Sequence, residues 1–226
     1  MTVLLDALGT LVRLQPPAPR LRALLAERHG VEVTEAQALA GMRAEIIYYR
    51  REHDRAADRA GLAALRRDCA IVLAQALPPA AREIPVDAMT VTLVDAIHFE
   101  PYPETVEVLD ALRARGHALA VVSNWDVSLH DVLAATGLAE RVDAVVTSAE
   151  LGAGKPDPRP FAAALAALDA PAVGALHAGD TPDEDVAGAL AVGVRPVLVA
   201  RDGPPADPLP EGVTVIADLR GLLALT

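Results

Sequence analysis

The sequence predicts an α/β fold: a parallel sheet with helices on its faces, interrupted after the first strand by a helical insertion. Three observations carry this. From residue 100 onward, short runs rich in Val, Leu and Ala alternate with segments of helical periodicity, as in units that return parallel strands to one sheet. Those runs are nearly continuous in apolar residues, as expected of strands buried on both faces. Residues 15 to about 98 hold no strand-like run, only stretches such as RLRALLAERHG and AGLAALRRDCAIVLAQAL with apolar residues at helical spacing.

The elements follow in order. The first strand is TVLL, residues 2–5. RLQPPAP opens the helical block and HFEPYP closes it, since proline ends regular structure. The core is therefore assigned to residues 1–14 and 99–226, and the helical insertion to 15–98. Further strands are expected near 118–122 (ALAVV), 143–146 (DAVV), 174–178 (GALHA), 196–199 (PVLV) and 213–216 (VTVI). Helices are expected near 104–115, 127–136, 158–168, 183–192 and 217–224. Asp157 ahead of Pro158 reads as a helix N-cap, as does Asp126 in SNWDVSL. TPDE, residues 181–184, has the form of a capping box, with Thr181 as cap and Glu184 reaching back. Trp125 reads equally well as a packing residue.

Composition narrows the function. A chain of 226 residues with 52% apolar content can bury a sizeable core. Its net charge of −11 argues against nucleic acid and anionic membrane surfaces as partners. No apolar run approaches the ~20 residues that span a bilayer. Asp6 interrupts the N-terminal apolar stretch, which argues against a signal peptide. Cys69 is the single cysteine, so no intrachain disulfide or thiolate cluster is expected. The expectation is a cytoplasmic protein, a monomer or homodimer. Nineteen of the 20 basic residues are Arg; the one Lys is Lys155. An ammonium kept against so strong a bias suggests a need for a compact point charge.

Ligands of open parallel sheets bind outside the carboxyl ends of the strands, and four such ends here carry polar residues. Asp6 follows TVLL in LLDALGTLV; Ser123 and Asn124 follow ALAVV. The segment after DAVV runs through Thr147 and Ser148 to GAGKPDP, with Lys155; Asp180 follows GALHAG, with Asp185 five residues on. One sheet edge would thus gather carboxylates, a hydroxyl and one ammonium. The alternative for Asp6 is a turn-initiating aspartate.

DALGTLV, VVSNWD, GAGKPDP and HAGDTPDEDVAGA, in this order and each at an expected strand end, resemble the four motifs of the haloacid dehalogenase superfamily. The match spans residues 1–14 and 100–200. The resemblance implies a Rossmann-like parallel-sheet core with an inserted α-helical cap, and a role for each matching position. Asp6 would be the covalent nucleophile. Thr10, Ser123 and Asn124 would contact the transferring group. Lys155 would neutralise charge between Asp6 and that group. Mg²⁺ would be held by Asp6, the Leu8 backbone carbonyl, Asp180 and Asp185. Physical chemistry agrees: a carboxylate attacking a phosphate dianion meets like-charge repulsion, which a divalent cation and an ammonium relieve. Backbone N–H groups near Leu8–Gly9 could cradle the remaining oxygens.

The sequence departs from the pattern at Leu8. The superfamily's phosphatases carry a second Asp two residues after the nucleophile, where it protonates the leaving alcohol. Leu8 cannot transfer protons, and losing such a catalyst costs on the order of 10²–10⁴ in rate. DALGTL and SNWD look most like the branch with a non-acidic residue at that place. Three readings follow from the resemblance: a Mg²⁺-dependent phosphatase, slow or limited to good leaving groups; an L-2-haloacid dehalogenase-type hydrolase, whose halide needs no proton; and a weakly catalytic binding protein on a hydrolase scaffold. Retention of Asp180 favours the first. Phosphonate cleavage through an insertion-borne lysine imine is excluded, since the insertion contains no Lys.

Within the insertion, Arg43, Arg50, Arg51, Arg55, Arg59, Arg66 and Arg67 are interleaved with Glu45, Glu52, Asp54 and Asp58. That pattern reads as a solvated, ion-paired face. Alternatively, one or two of these Arg, with Tyr48, Tyr49 or His53, select a small anionic substrate.

Overall fold

The computed structural model describes residues 1–226. The chain opens with strands β1 (Thr2–Leu5) and β2 (Val12–Leu14). Five helices follow: α1 (Pro17–His29), α2 (Glu35–Glu52), α3 (Arg59–Ala76), α4 (Pro79–Arg82) and α5 (Val86–Ala96). Then come β3 (Phe99–Pro101), α6 (Thr105–Ala114), β4 (Ala118–Ser123), α7 (Leu129–Ala135), β5 (Ala144–Thr147), α8 (Ser148–Leu151), α9 (Pro158–Ala167) and β6 (Leu176–Gly179). A π-helical turn (Pro182–Val186) leads into α10 (Ala187–Ala191), and β7 (Arg195–Val199), β8 (Thr214–Ile216) and a 3₁₀ turn (Leu219–Ala224) end the chain. Two compact units result, Met1–Arg13 with Glu100–Thr226, and Leu14–Phe99.

The first unit is built on a six-stranded sheet in the order β5-β4-β1-β6-β7-β8. All neighbours are parallel, giving the Rossmann-like α/β core that the alternating pattern predicts. β1 is central: Leu5 lies opposite Val121 of β4 on one side and Ala178 of β6 on the other. Val3, Leu4 and Leu5 are fully buried, each leucine contributing roughly 1.5–3 kcal/mol through burial. On one face, Leu4, Ala120 and Val122 pack with Phe161 and Ala164 of α9 and with Val194. The strand that leads to Asp6 is thus clamped on both edges and both faces.

The second unit is wholly helical. Leu21, Leu25, Met42, Leu65, Leu73, Met89 and Leu93 form its buried apolar interior. Thr34 caps α2 through a reciprocal capping box with Gln37, and Asp58 caps α3 by accepting from the Gly61 N–H at 2.7 Å. Glu45, 3% exposed, lies in this interior. Burial pushes its carboxyl up to about 7, against a smaller opposing pull from Cys69. Several of the arginines pair with acids of their own unit: Arg51 with Glu52 (2.8 Å), and Arg55 with Glu52 (3.1 Å) and Asp68 (3.0 Å). Exposed pairs of this kind are worth at most about 1 kcal/mol each.

Three local readings need correction. The helix expected over 183–192 begins as a π turn, and the last helix is a 3₁₀ turn. The capping box expected at 181–184 does not form. Thr181 caps nothing with its side chain, and Glu184 instead accepts from Asn124 at 2.9 Å. The β2–β3 ribbon and the four-residue α8 were not anticipated, being too short to show periodicity. No helix is long and apolar enough to cross a membrane.

Candidate active site

Because β4, β1 and β6 are adjacent and parallel, their carboxyl ends open on one edge. The chain order reverses about β1, the place where open α/β sheets bind ligands. Asp6 directly follows β1, Ser123 ends β4, and Asp180 directly follows β6. Lys155 comes from the loop after α8, and Asp185 from the π turn.

These residues converge. The Lys155 Nζ donates to Asp6 Oδ1 and to Asp185 Oδ1, both at 2.6 Å, with the lysine side chain only 1% exposed. Ser123 Oγ donates to the same Asp6 oxygen at 3.1 Å. Asp6 Oδ1 therefore has two donors, while Oδ2 has none from the protein. Asp185 is held at both oxygens: Oδ1 also accepts from His177 Nε2 at 2.8 Å, and Oδ2 takes one bond, from the Thr181 N–H at 2.9 Å.

Charge follows geometry. Burial opposes the Lys155 ammonium, but Asp6 and Asp185 outweigh it and hold the lysine above its ordinary range. Burial opposes the Asp185 anion too, yet Lys155 and His177 outweigh it and hold Asp185 well below the usual carboxylate range. Asp6 is pushed up by burial, an effect that Lys155 opposes and Asp185 reinforces. Asp180 is pushed up to about 6 by burial, then by the charges of Asp6 and Asp185.

The loop after β1 is shaped by Gly9. Its φ is +84°, and a Cβ there would stand 2.1 Å from Asp180 Oδ2. Only glycine allows both the backbone conformation and that approach. Leu8 exposes 37% of its surface and offers no ionisable group, and its carbonyl accepts no hydrogen bond from the protein. Thr10 is fully buried, with its Oγ1 unpartnered. Asn124, expected among the substrate contacts, hydrogen-bonds the lysine loop and Glu184. Its Nδ2 donates to the Lys155 carbonyl and to Glu184, both at 2.9 Å, and its Oδ1 accepts from the Lys155 N–H at 2.6 Å. It braces the lysine loop. Asp157 caps α9 by accepting from the Arg159 N–H, and the buried Asp126 accepts from the Ser128 N–H at 2.6 Å.

Two participants escape the sequence reading. His177 sits inside β6, its ring edge-on to Phe161 at 4.9 Å. The available signal was a polar ring within an otherwise apolar strand run, two residues before Gly-Asp. Glu184 was assigned to a cap, and its spacing gave no hint of Asn124.

The donor set suits Mg²⁺. Asp6, Asp180 and Asp185 can each offer a carboxylate oxygen, all within 4.8 Å of one another. These are hard oxygen ligands of the kind Mg²⁺ takes. Three carboxylates against one ammonium leave excess negative charge, which adds to burial in pushing Asp180 up. Asp6 Oδ2 and Asp180 keep open positions, the latter taking only a 3.4 Å bond from Thr181.

A family model described as haloacid dehalogenase-like hydrolase matches residues 1–193. A phosphoserine phosphatase of Thermus thermophilus is 42% identical over 120 residues, 53% of this chain and 48% of that protein. The human haloacid dehalogenase-like hydrolase domain-containing protein 3 is 33% identical over 222 residues, 90% of this chain and 83% of that protein. The bovine protein of the same name is 49% identical over 115 residues, 47% of this chain and 45% of that protein. The chain thus spans about half the length of the Thermus and bovine relatives in these matches. Among solved structures, the defluorinating L-2-haloacid dehalogenase Rha0230 superposes with a TM-score of 0.74 at 21% identity, covering 99% of this chain and 94% of that one. A phosphatase from Thermococcus onnurineus superposes with a TM-score of 0.67 at 22% identity, covering 99% and 96%. At these identities the structural likeness speaks for the fold. The family match runs through the sheet edge that carries Asp6, Lys155, Asp180 and Asp185, and on that match the chain belongs to the haloacid dehalogenase-like hydrolases.

Proposed function

We propose that this hydrolase is a Mg²⁺-dependent phosphatase. It acts on a small phosphorylated, anionic substrate through Asp6 and is restricted by Leu8 to leaving groups that depart without a proton. The observation that carries the reading is the buried Lys155 ammonium bridging Asp6 and Asp185 at 2.6 Å, beside the half-free carboxylate of Asp180. Ser123 and Lys155 bind one oxygen of Asp6 and leave Oδ2 to form the bond. The Oδ2–phosphorus bond forms as the bond to the leaving oxygen breaks, and that oxygen keeps the electron pair. Lys155 balances the charge gathering between Asp6 and the transferring group; Asp185, anchored by His177 and the Thr181 N–H, holds Lys155 in place. Water then bonds to phosphorus as the bond from phosphorus to Asp6 Oδ2 breaks; Asp6 leaves as the carboxylate, and both protons of the water depart on the released phosphate. Asp6, Asp180 and the Leu8 carbonyl would hold Mg²⁺, with Asp185 alongside; when bound, the ion neutralises charge on the phosphate. A halide also leaves without a proton, and that reading makes the opposite prediction about metal.

The test is p-nitrophenyl phosphate beside 2-chloropropionate, each with Mg²⁺ and with EDTA. Nitrophenol release that EDTA abolishes is the expected result. Chloride release independent of metal would assign the site to carbon–halogen hydrolysis. Inactivity on both would leave a binding protein.

A further inference from the structure

The side chain of Arg201, 16% exposed, reaches back from just beyond β7 to the loop that follows the nucleophile. Its Nε donates to the Gly9 carbonyl at 3.0 Å, its Nη2 to the Thr10 carbonyl at 2.7 Å, and its Nη1 to Glu104 Oε1 at 2.7 Å. The guanidinium carbon lies 3.4 Å from the centre of the Tyr102 ring. The next carbonyl, Leu11, is taken by Thr105 Oγ1 at 2.8 Å and the Tyr102 N–H at 3.1 Å. Three consecutive carbonyls are thus captured from the side of α6 and β7.

Within one planar trans peptide, C=O and N–H point in opposite directions. The Thr10 carbonyl shares a peptide with the Leu11 N–H, which donates to the Ala7 carbonyl at 2.8 Å, and that carbonyl shares a peptide with the Leu8 N–H, so holding the first aims the last. The Leu8 N–H has no acceptor in the protein, Leu8 is 37% exposed, and Gly9 abuts Asp180. We infer that Arg201 is a positioning residue. Its planar fork fixes the Gly9 and Thr10 carbonyls and, through this relay, presents the free Leu8 N–H to an oxyanion at the carboxylate edge. A lysine could not replace it, since one ammonium does not present two parallel donors to neighbouring carbonyls while stacking on a ring. The inference rests on the phosphatase reading for the identity of the oxyanion; the hydrogen bonds that define the clamp do not.

The experiment compares wild type, Arg201→Ala, Arg201→Lys and Glu104→Gln by two measurements. The first is hydrogen exchange at the loop amides of Gly9, Leu11 and Val12, which needs no activity. The second is the affinity for inorganic phosphate with Mg²⁺ present, measured by calorimetry. In Arg201→Ala, exchange at these amides should rise about tenfold or more, as losing charge-assisted hydrogen bonds implies. Phosphate affinity should fall by a similar factor. Guanidinium at sub-denaturing concentration should restore both; equimolar ammonium should not, and Arg201→Lys should stay impaired. Glu104→Gln, which keeps the shape and loosens one anchor, should show a smaller change in the same direction, and it carries the test if Arg201→Ala does not fold. Unchanged exchange, or a loss of phosphate affinity that guanidinium leaves unrepaired, would overturn the proposal. If wild type takes up no phosphate, the phosphatase reading falls, and the exchange pattern with its guanidinium response alone decides the clamp.

Discussion

Glu45 should make this protein lose stability as the solution turns from acid to neutral. Its carboxyl is 3% exposed and titrates at about 7 in the folded chain, against 4.5 as its ordinary value. Between those values the folded state holds a proton that the unfolded state has released. Stability falls with rising pH wherever the folded state binds more protons. The contribution is therefore fully present below pH 4.5 and is lost as pH rises through 7. The gap corresponds to about 3 kcal/mol, taking about 1.4 kcal/mol for each pH unit. Glu45→Gln keeps the volume and removes the charge. Urea unfolding followed by circular dichroism at pH 5, 6, 7 and 8 isolates the effect as the difference between wild type and variant. The variant should gain on wild type by about 2.5 kcal/mol between pH 5 and pH 8, most of it below pH 7, with unchanged denaturant slope. A difference that is flat with pH would refute the buried, protonated state assigned to Glu45.

Two substitutions probe the sheet edge. Leu8→Asp should raise turnover on alkyl phosphates by on the order of 10²–10⁴ and change p-nitrophenyl phosphate little. No gain in a folded, Mg²⁺-binding variant would show that proton transfer is not what wild type lacks. Lys155→Met strands two buried carboxylates that now share an ammonium at 2.6 Å. It should cost about 3–5 kcal/mol in thermal or urea unfolding and abolish turnover; stability equal to wild type would contradict the bridge.

The sheet was legible because its strands are buried on both faces. TVLL, ALAVV and PVLV read as continuous apolar runs, and all three are strands with their interiors buried. The polar residues after TVLL, ALAVV, DAVV and GALHA pointed to the edge where Asp6, Ser123, Lys155, Asp180 and Asp185 meet. Side-chain commitments were not legible. Asn124 was expected at the transferring group, and its hydrogen bonds to Lys155, 31 residues on, follow from no spacing in the sequence. Glu184 looked like a capping residue because TPDE has the right letters, but Thr181, extended as an N-cap is, makes no side-chain cap bond, and Glu184 accepts from Asn124 instead. Arg201 lies 192 residues from Gly9 in the chain, and no spacing rule spans that distance.

The central position of β1 dictates the order of assembly. Val3 finds its neighbours only in Leu119 and Leu176, so the strand made before the rest of the sheet stays unpaired until most of the chain exists. Pairings that distant are slow to form, because their loops must close first. During synthesis, TVLL is an apolar segment with two open edges, the kind that seeks strands on other chains. The aspartate at its tip is translated early and settled late, since its lysine and its lateral strands arrive from the second half of the polypeptide.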